Sequence, residues 1–384
     1  MQVKQIYQIM NQITGEITGK TDLLAEDLGN IVDVGNEILN VTDVENYTKT
    51  LIDHIGRVVF VDRKYAGGAP SVLMDAWEYG SVLEKITCEM PEATENETWD
   101  LTNGQSYDPN VFYKPTVSAK FFNSKVTFEV PISITDRQVR SAFSNAEQLN
   151  GFISMIYNAI ENSLTVKIDS LIMRTINNAI GTTFKDEYAS ALPASKSGVR
   201  AVNLLYLYNQ TIPTPITADD AMTDPEFIRF AALQLGLYQD RMATMSSLFN
   251  NNGKDRFTTA EDLHIVLLSD FANAANVYLQ SNTFHDEYTK LPNAEKVAYW
   301  QGTGTDYGFS SVSKINVKTA DGDDVVLTGI LGVMFDRDAI GVSNLDRRVT
   351  TNYNAKAEFT NSWFKFDCGY FNDFNENFVF FFIA

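Results

Sequence analysis

From Leu149 onward, large aliphatic and aromatic residues return at steps of three and four: Leu149, Phe152, Ile153, Ile156, Ile160, Leu164, Ile168, Leu171, Ile172 and Ile176. Those steps put all of them on one face of an α-helix. No proline falls between Pro131 and Pro193, so nothing interrupts the backbone ladder over that stretch. The pattern predicts a helix over 145–180, with Gly181 at the position just past its end. At 1.5 Å per residue such a helix is about 54 Å long, whereas globular helices average about 11–12 residues. Any fold for this chain has to accommodate it.

The segment before the helix carries a different period. Residues 78–90 read as extended, and 91–110 are polar and acidic, with Pro91, Glu92, Glu95, Glu97 and Asp100 leading to Asn103-Gly104. Val126, Phe128, Val130, Ile132 and Ile134 then alternate with Lys125, Thr127, Glu129 and Ser133, the period of a half-buried strand. The whole of 78–134 reads as a long two-stranded excursion with a broad acidic tip. A two-stranded ribbon is marginal by itself in water. Its apolar face needs a cover from outside.

The remaining elements follow from local signals. Residues 1–50 read as an extended arm with short helical turns, and Leu51 to Val61 as a helix end feeding a strand before the loop at Gly67-Gly68-Ala69-Pro70. After a polar stretch from Thr182 to Asp220, Asp224-Pro225-Glu226 opens a second helix, with Asp as N-cap and Pro in the first turn. It is expected to run to about Phe249 and end at Asn250-Asn251-Asn252-Gly253. Leu263 to Leu268 reads as a short buried strand, and Ser269 or Asp270 caps a helix through Leu279. Beyond Gly308 the pattern turns to strands. Val312–Val317 and Val325–Phe335 flank a turn at Ala320-Asp321-Gly322, aromatic runs follow from Val349 to Phe371, and Phe378 to Ala384 reads as a buried strand. No internal repeat or low-complexity tract is visible.

Composition excludes several classes. With 384 residues, 44% apolar and 21% charged, the chain can bury a core in two or three ordinary domains. Acidic residues outnumber basic ones 49 to 30, which argues against a dedicated nucleic-acid binder and against attraction to anionic lipid. Two distant cysteines, Cys88 and Cys368, exclude a disulfide framework and a cysteine zinc site. No stretch of 18 apolar residues is present, and the start, Met1-Gln2-Val3-Lys4-Gln5, lacks a signal-peptide pattern.

Catalytic signatures fail one by one. There is no phosphate-binding G-x-x-x-x-G-K-[ST] and no G-x-S-x-G elbow. Gly302, Gly304 and Gly308 have the wrong spacing for a dinucleotide loop. His54, His264 and His285 are scattered, and His264 beside an apolar strand reads as structural. Cys88 has no base nearby in sequence. Asp321, Asp323 and Asp324 miss calcium-loop spacing, Asp336-Arg337-Asp338 reads as a strand-end turn, and the acidic run from Glu92 to Asp100 as a solvated or partner-facing surface. No catalytic, cofactor or metal site is expected.

The order of elements, together with specific segments, carries a resemblance. Asn46 to Val59 (NYTKTLIDHIGRVV), Phe152 to Ile160 (FISMIYNAI), Glu261 to Val266 (EDLHIV) and Gly332 to Asp338 (GVMFDRD) followed by an aromatic tail occur in that order. The chain resembles the Hong Kong 97 capsid fold of tailed bacteriophages, and in character the major capsid proteins of phi-twenty-nine-like short-tailed phages. That fold is α+β, with an N-terminal arm, an extended β-hairpin loop, a long spine helix, and peripheral and axial domains. The resemblance implies an arm over 1–50, a peripheral domain over 51–75, 132–200 and 346–384, an extended loop over 76–131 and an axial domain over 201–345. Those relatives carry a further immunoglobulin-like domain, whereas this chain stops at Ala384.

The function it implies is a major capsid protein that assembles in the bacterial cytoplasm into pentamers and hexamers of an icosahedral virion shell. Its partners would be copies of itself, a separate scaffolding protein, a portal protein and non-specifically contacted double-stranded DNA, with no membrane. Some members of the fold cross-link a lysine to a neighbour's asparagine, and nothing places that chemistry on Lys85, Lys114, Lys120 or Lys125. The alternatives are a tail or adhesin component, for which repeats or heptads are missing, and an enzyme without a recognisable motif.

Overall fold

The computed structural model describes residues 68–74, 82–93, 95, 103–104, 108, 110–135, 146–188, 192–280, 294–301, 306–319 and 322–384, with the backbone alone for 73–74, 146–157 and 278–280. The expected arm over 1–50, the passage at 51–61, His54, His285, Gly302, Gly304 and Asp321 lie outside the described residues.

In chain order the described strands are β1 (Leu73–Met74), β2 (Leu83–Cys88), β3 (Val117–Phe122), β4 (Lys125–Thr135), β5 (Ala201–Asn203), β6 (Leu263–Leu268), β7 (Glu295–Val297), β8 (Ile315–Lys318), β9 (Asp324–Leu327), β10 (Ile330–Asp336), β11 (Ile340–Asn354), β12 (Phe359–Asn372) and β13 (Phe378–Phe382). The helices are α1 (Ala146–Glu187), α2 (Leu204–Asn209), α3 (Ala218–Ala221), α4 (Pro225–Met242), α5 (Ser269–Gln280) and α6 (Phe309–Val312). The chain thus mixes helix and strand, as its two hydrophobic periods require.

Helix α1 runs for 42 residues, about 63 Å. Its predicted stripe is its buried face: Ile160, Leu164, Ile168, Leu171, Ile172 and Ile176 are at most 2% exposed. The end differs from expectation. The helix passes through Gly181, and Phe184 beyond it continues the buried stripe. A Cβ on Gly181 would lie 2.6 Å from Val317 Cγ2, so this glycine permits a close approach by β8 and marks no terminus.

Five strands form a sheet in the order β5–β13–β10–β6–β7. Both of its faces are covered. Val266, Val333, Phe335, Phe378, Phe380 and Phe382 join the core around α1. Their neighbours Ile265, Leu267, Met334, Val379 and Phe381 join a second core with α2, α4 and α5. Burial on two sides explains why β10 and β13 are unbroken apolar runs. The sequence reading grouped the last strand with the returning strands of 346–384. The topology corrects this: β13 pairs between β5 and β10, among the elements of 201–345.

The second sheet has the order β1–β11–β12–β4. Phe364, Phe366 and Cys368 turn into the α1 core while Lys365 and Asp367 face the other way, so these strands alternate. Two turns carry the chain between the sheets, Arg337–Ala339 from β10 to β11 and Asp373–Asn377 from β12 to β13. They are tied together, with the Asp373 N–H donating to Ala339 O at 2.7 Å and the Asp336 N–H to Asn377 O at 2.9 Å.

Three boundaries also differ from the sequence reading. The apolar run Val325–Phe335 is two strands. It breaks at Gly329, whose φ is +80° and where a Cβ would fall 2.1 Å from Ile383 O. Its first half, β9, pairs with β8 as a hairpin, and its second, β10, enters the large sheet. Val312 ends the single helical turn α6, and the strand begins only at Ile315. Helix α4 starts as expected, with Asp224 Oδ1 accepting from the Glu226 and Phe227 N–H groups, but it stops at Met242. There the Met242 carbonyl accepts from Thr258 N–H at 2.8 Å, and the chain turns back through a bridge between Ser246 and Arg256.

Candidate functional site

Among the described residues, strands β2 and β3 pair only with each other, antiparallel, with Leu83 opposite Phe122, Lys85 opposite Lys120 and Cys88 opposite Val117. Pairing continues one step further, where Glu89 N–H donates to Thr116 O at 2.9 Å. The prolines at 91 and 115 withhold donors beyond that point. The excursion is therefore shorter than the sequence suggested. The alternating segment 126–134 is a strand, β4, but its partner is β12 of the four-stranded sheet, from Thr135–Phe359 to Lys125–Gly369. A period of two records a half-buried strand and is blind to which strand lies beside it.

Opposed residues share a face, so the ribbon has two distinct sides. The inner side carries Leu83, Lys85 and Thr87 with Phe122, Lys120 and Ser118. It is held to the body by polar and ring contacts. Lys85 and Lys120 reach Asp373 at 3.5 and 3.0 Å, Phe122 meets Phe371 with centroids 4.9 Å apart, and Glu89 pairs with Lys254. The outer side carries Glu84, Ile86 and Cys88 with Phe121, Ala119 and Val117. Ile86, Val117 and Phe121 are 66%, 57% and 63% exposed. Toward the tip Met90, Phe112 and Tyr113 are exposed as well. The three aromatic rings alone leave on the order of 400 Å² of mostly apolar surface in water, the scale at which a patch marks a contact site.

Among the described residues, those that could carry chemistry do not gather into one cluster. His264 stacks on Phe335 in the large sheet, with centroids 5.5 Å apart. Cys88 is exposed on the ribbon, and Cys368 is buried in β12, where desolvation pushes its thiol up to about 11. Asp323 pairs with Lys185 at the end of α1, and that partner holds its carboxyl below the usual range. Asp336 is buried at the turn between the sheets. Burial raises its pKa against the Thr258 hydroxyl, which donates to it at 2.6 Å. Gly308 precedes α6 and donates to Asp306. Among the described residues no group of three or more His, Cys, Asp or Glu is arranged to hold a metal, and no helix is long and apolar enough to cross a membrane.

The ribbon's bare outer side was legible in part: the sequence announced an uncovered excursion, but not the lysine pair at its root or the acid that receives it. Lys85 and Lys120 look like ordinary solvated charges until the register opposes them.

Comparison with known proteins adds the following. The sequence profile of the family described as Phi29-like phage major capsid protein matches residues 6–382. A curated relative, the major capsid protein of Bacillus phage GA-1, is 26% identical over 181 residues, which are 43% of this chain and 34% of that one. The matched stretch thus spans about a third of the relative's length. Among solved structures, the capsid of Staphylococcus phage Andhra superposes with a TM-score of 0.50 at 11% identity, covering 84% of this chain and 86% of that chain. That likeness is one of fold.

Proposed function

The chain belongs to the family of Phi29-like phage major capsid proteins, and from that premise we propose that its copies build an icosahedral head by laying the ribbon of each subunit over the next. The observation that carries this reading is the ribbon's bare outer side, with Ile86, Val117 and Phe121 each more than half exposed. A monomer gains nothing by displaying it.

Magnitudes indicate why many copies are needed. Burying on the order of 400 Å² at about 25 cal/mol per Å² contributes about 10 kcal/mol. Association costs about 4–15 kcal/mol in lost freedom and ordering. One ribbon contact is therefore marginal, while a closed ring gives each subunit a contact on both sides. Reversible single contacts with a stable closed product suit ordered assembly.

In this reading the architecture is of the Hong Kong 97 type. Helix α1 and the four-stranded sheet form the peripheral domain, the five-stranded sheet with α2, α4 and α5 forms the axial domain at capsomer centres, and rings of five and six close the shell. A separate scaffolding protein and a portal protein are the expected partners, with assembly in the host cytoplasm. Contact with packaged DNA is weak and non-specific, because the chain carries a formal charge of −19.

Deleting Pro91 to Asn110 tests the proposal. The expected product is a folded subunit, with unchanged far-UV circular dichroism, that forms no shells under the electron microscope. Normal shells from that variant would remove the ribbon's tip from the assembly mechanism.

A further inference from the structure

We propose that Asp373 is a latch that fixes the angle of the ribbon on its own subunit, so that the outer face is held ready before a second copy arrives. The register places Lys85 directly opposite Lys120, and like charges so opposed destabilise a strand pair. Here both ammonium groups turn to the inner side and converge on one carboxylate, at 3.5 Å to Oδ2 and 3.0 Å to Oδ1. The Asp373 side chain is 2% exposed and that of Lys85 17%, so water screens this pair little, while Lys120, 37% exposed, is screened more.

The acceptor is itself immobilised. Asp373 Oδ1 accepts from the Asn375 N–H at 3.1 Å, and the Asp373 N–H donates to Ala339 O. Lys85 also donates to the Asp338 carbonyl and lies over the Phe371 ring, 4.8 Å from its centroid. One ribbon lysine therefore grips both turns that join the two sheets, Arg337–Ala339 and Asp373–Asn377. Glu376, on the same turn as Asp373, pairs with Arg256 at 3.3 Å. A further ionic contact of the ribbon, Glu89 with Lys254, has side chains 44% and 39% exposed and is screened. It cannot set the angle alone.

The latch has a consequence for association, and that part rests on the shell reading given above. A ribbon already ordered on its own body loses less conformational freedom when a neighbour covers it. Its two faces divide the work: charge holds the inner side, and the apolar outer side stays free.

Hydrogen exchange by mass spectrometry on the soluble full-length subunit tests the latch without reference to shells. Asp373→Asn should speed amide exchange in 83–88 and 117–122 at least tenfold while leaving 330–336 and 378–382 unchanged. Lys85→Gln with Lys120→Gln, which leaves both body turns intact, should do the same. Unchanged exchange in the ribbon of the lysine variant overturns the latch, as does an equal acceleration throughout the body strands. Assembly of the lysine variant should require about tenfold more protein. Loosened exchange with unaltered assembly supports the latch and counts against the ribbon's part in the shell.

Discussion

Gly181 and Val317 approach so closely that a single added methyl group would not fit between them: a Cβ on Gly181 would lie 2.6 Å from Val317 Cγ2. This is where the β8–β9 hairpin rests on the last turns of α1, with Lys185 pairing to Asp323 a turn later. Alanine is normally the better helix residue by about 1 kcal/mol, but forced overlap in a packed core costs about 1–3 kcal/mol. Gly181→Ala should therefore destabilise the subunit by about 1 kcal/mol, and should cost less in a chain that already carries Val317→Ala. Urea unfolding of the three variants checks this. A Gly181→Ala protein as stable as the parent would contradict the close approach.

Gly329 and Gly236 should behave in opposite ways. Gly329 has φ +80° with Ile383 O 2.1 Å from its missing Cβ, whereas Gly236 in α4 has nothing within 4 Å. Gly329→Ala combines left-handed strain of about 1–2 kcal/mol with a backbone clash, and a loss of about 3 kcal/mol is expected. Gly236→Ala should gain about 0.5–1 kcal/mol. Thermal unfolding of both separates the two cases, and equal shifts would refute the assignment.

Tyr188 makes stability fall at high pH. Its hydroxyl donates to Ala201 O at 2.8 Å, and burial, with Glu187 adding to it, raises its pKa from 10.0 to about 12. The folded state holds this proton more tightly than the unfolded chain. Its contribution is complete below pH 10 and is lost as pH rises from 10 to 12. Below pH 10, Tyr188→Phe should cost about 0.5–1 kcal/mol, near the low end because Gly198 N–H still serves the Ala201 carbonyl at 3.0 Å. Above it, the variant should show a shallower decline than the parent. Denaturation series at pH 8 and pH 11.5 measure the difference, and parallel declines would rule out the titration.

The two thiols should react differently. Cys88 is exposed and Cys368 buried, with desolvation holding the latter's pKa at about 11, so its thiolate is scarce near neutrality. A maleimide at pH 7.5 should label the native subunit once and the unfolded chain twice. In assembled particles the Cys88 reaction should slow, because that side of the ribbon is covered. Fast labelling of Cys368 in the native subunit would show that β12 opens readily.

Charge on the ribbon's outer face should block association without harming the fold. Phe121→Glu and Ile86→Glu replace exposed apolar groups, so the melting temperature of the subunit should move little. The concentration needed for assembly, read by light scattering, should rise more than tenfold. Assembly at the parental concentration would place the contact elsewhere.

Much of the architecture was legible one element at a time. The stripe from Ile160 to Ile176, the cap at Asp224 and the doubly buried run at Phe378–Phe382 all record burial of a local segment, and local period reports that directly. The strand at 126–134 was legible too, but not its neighbour. Gly181 and Gly329 were ambiguous, because a glycine carries no sign of whether it serves a terminus, a turn or a close approach.

What the sequence determined by itself is which side of each element must be dry, including a ribbon with more apolar surface than its own strands can cover. Only the tertiary structure decided the pairings: β4 with β12, β13 between β5 and β10, and Lys120 with an Asp373 that lies 253 residues away. Periodicity is a property of neighbours along the chain. A strand looks the same whichever strand it pairs with, and a lysine gains its meaning only when closure of the chain sets a buried carboxylate in front of it.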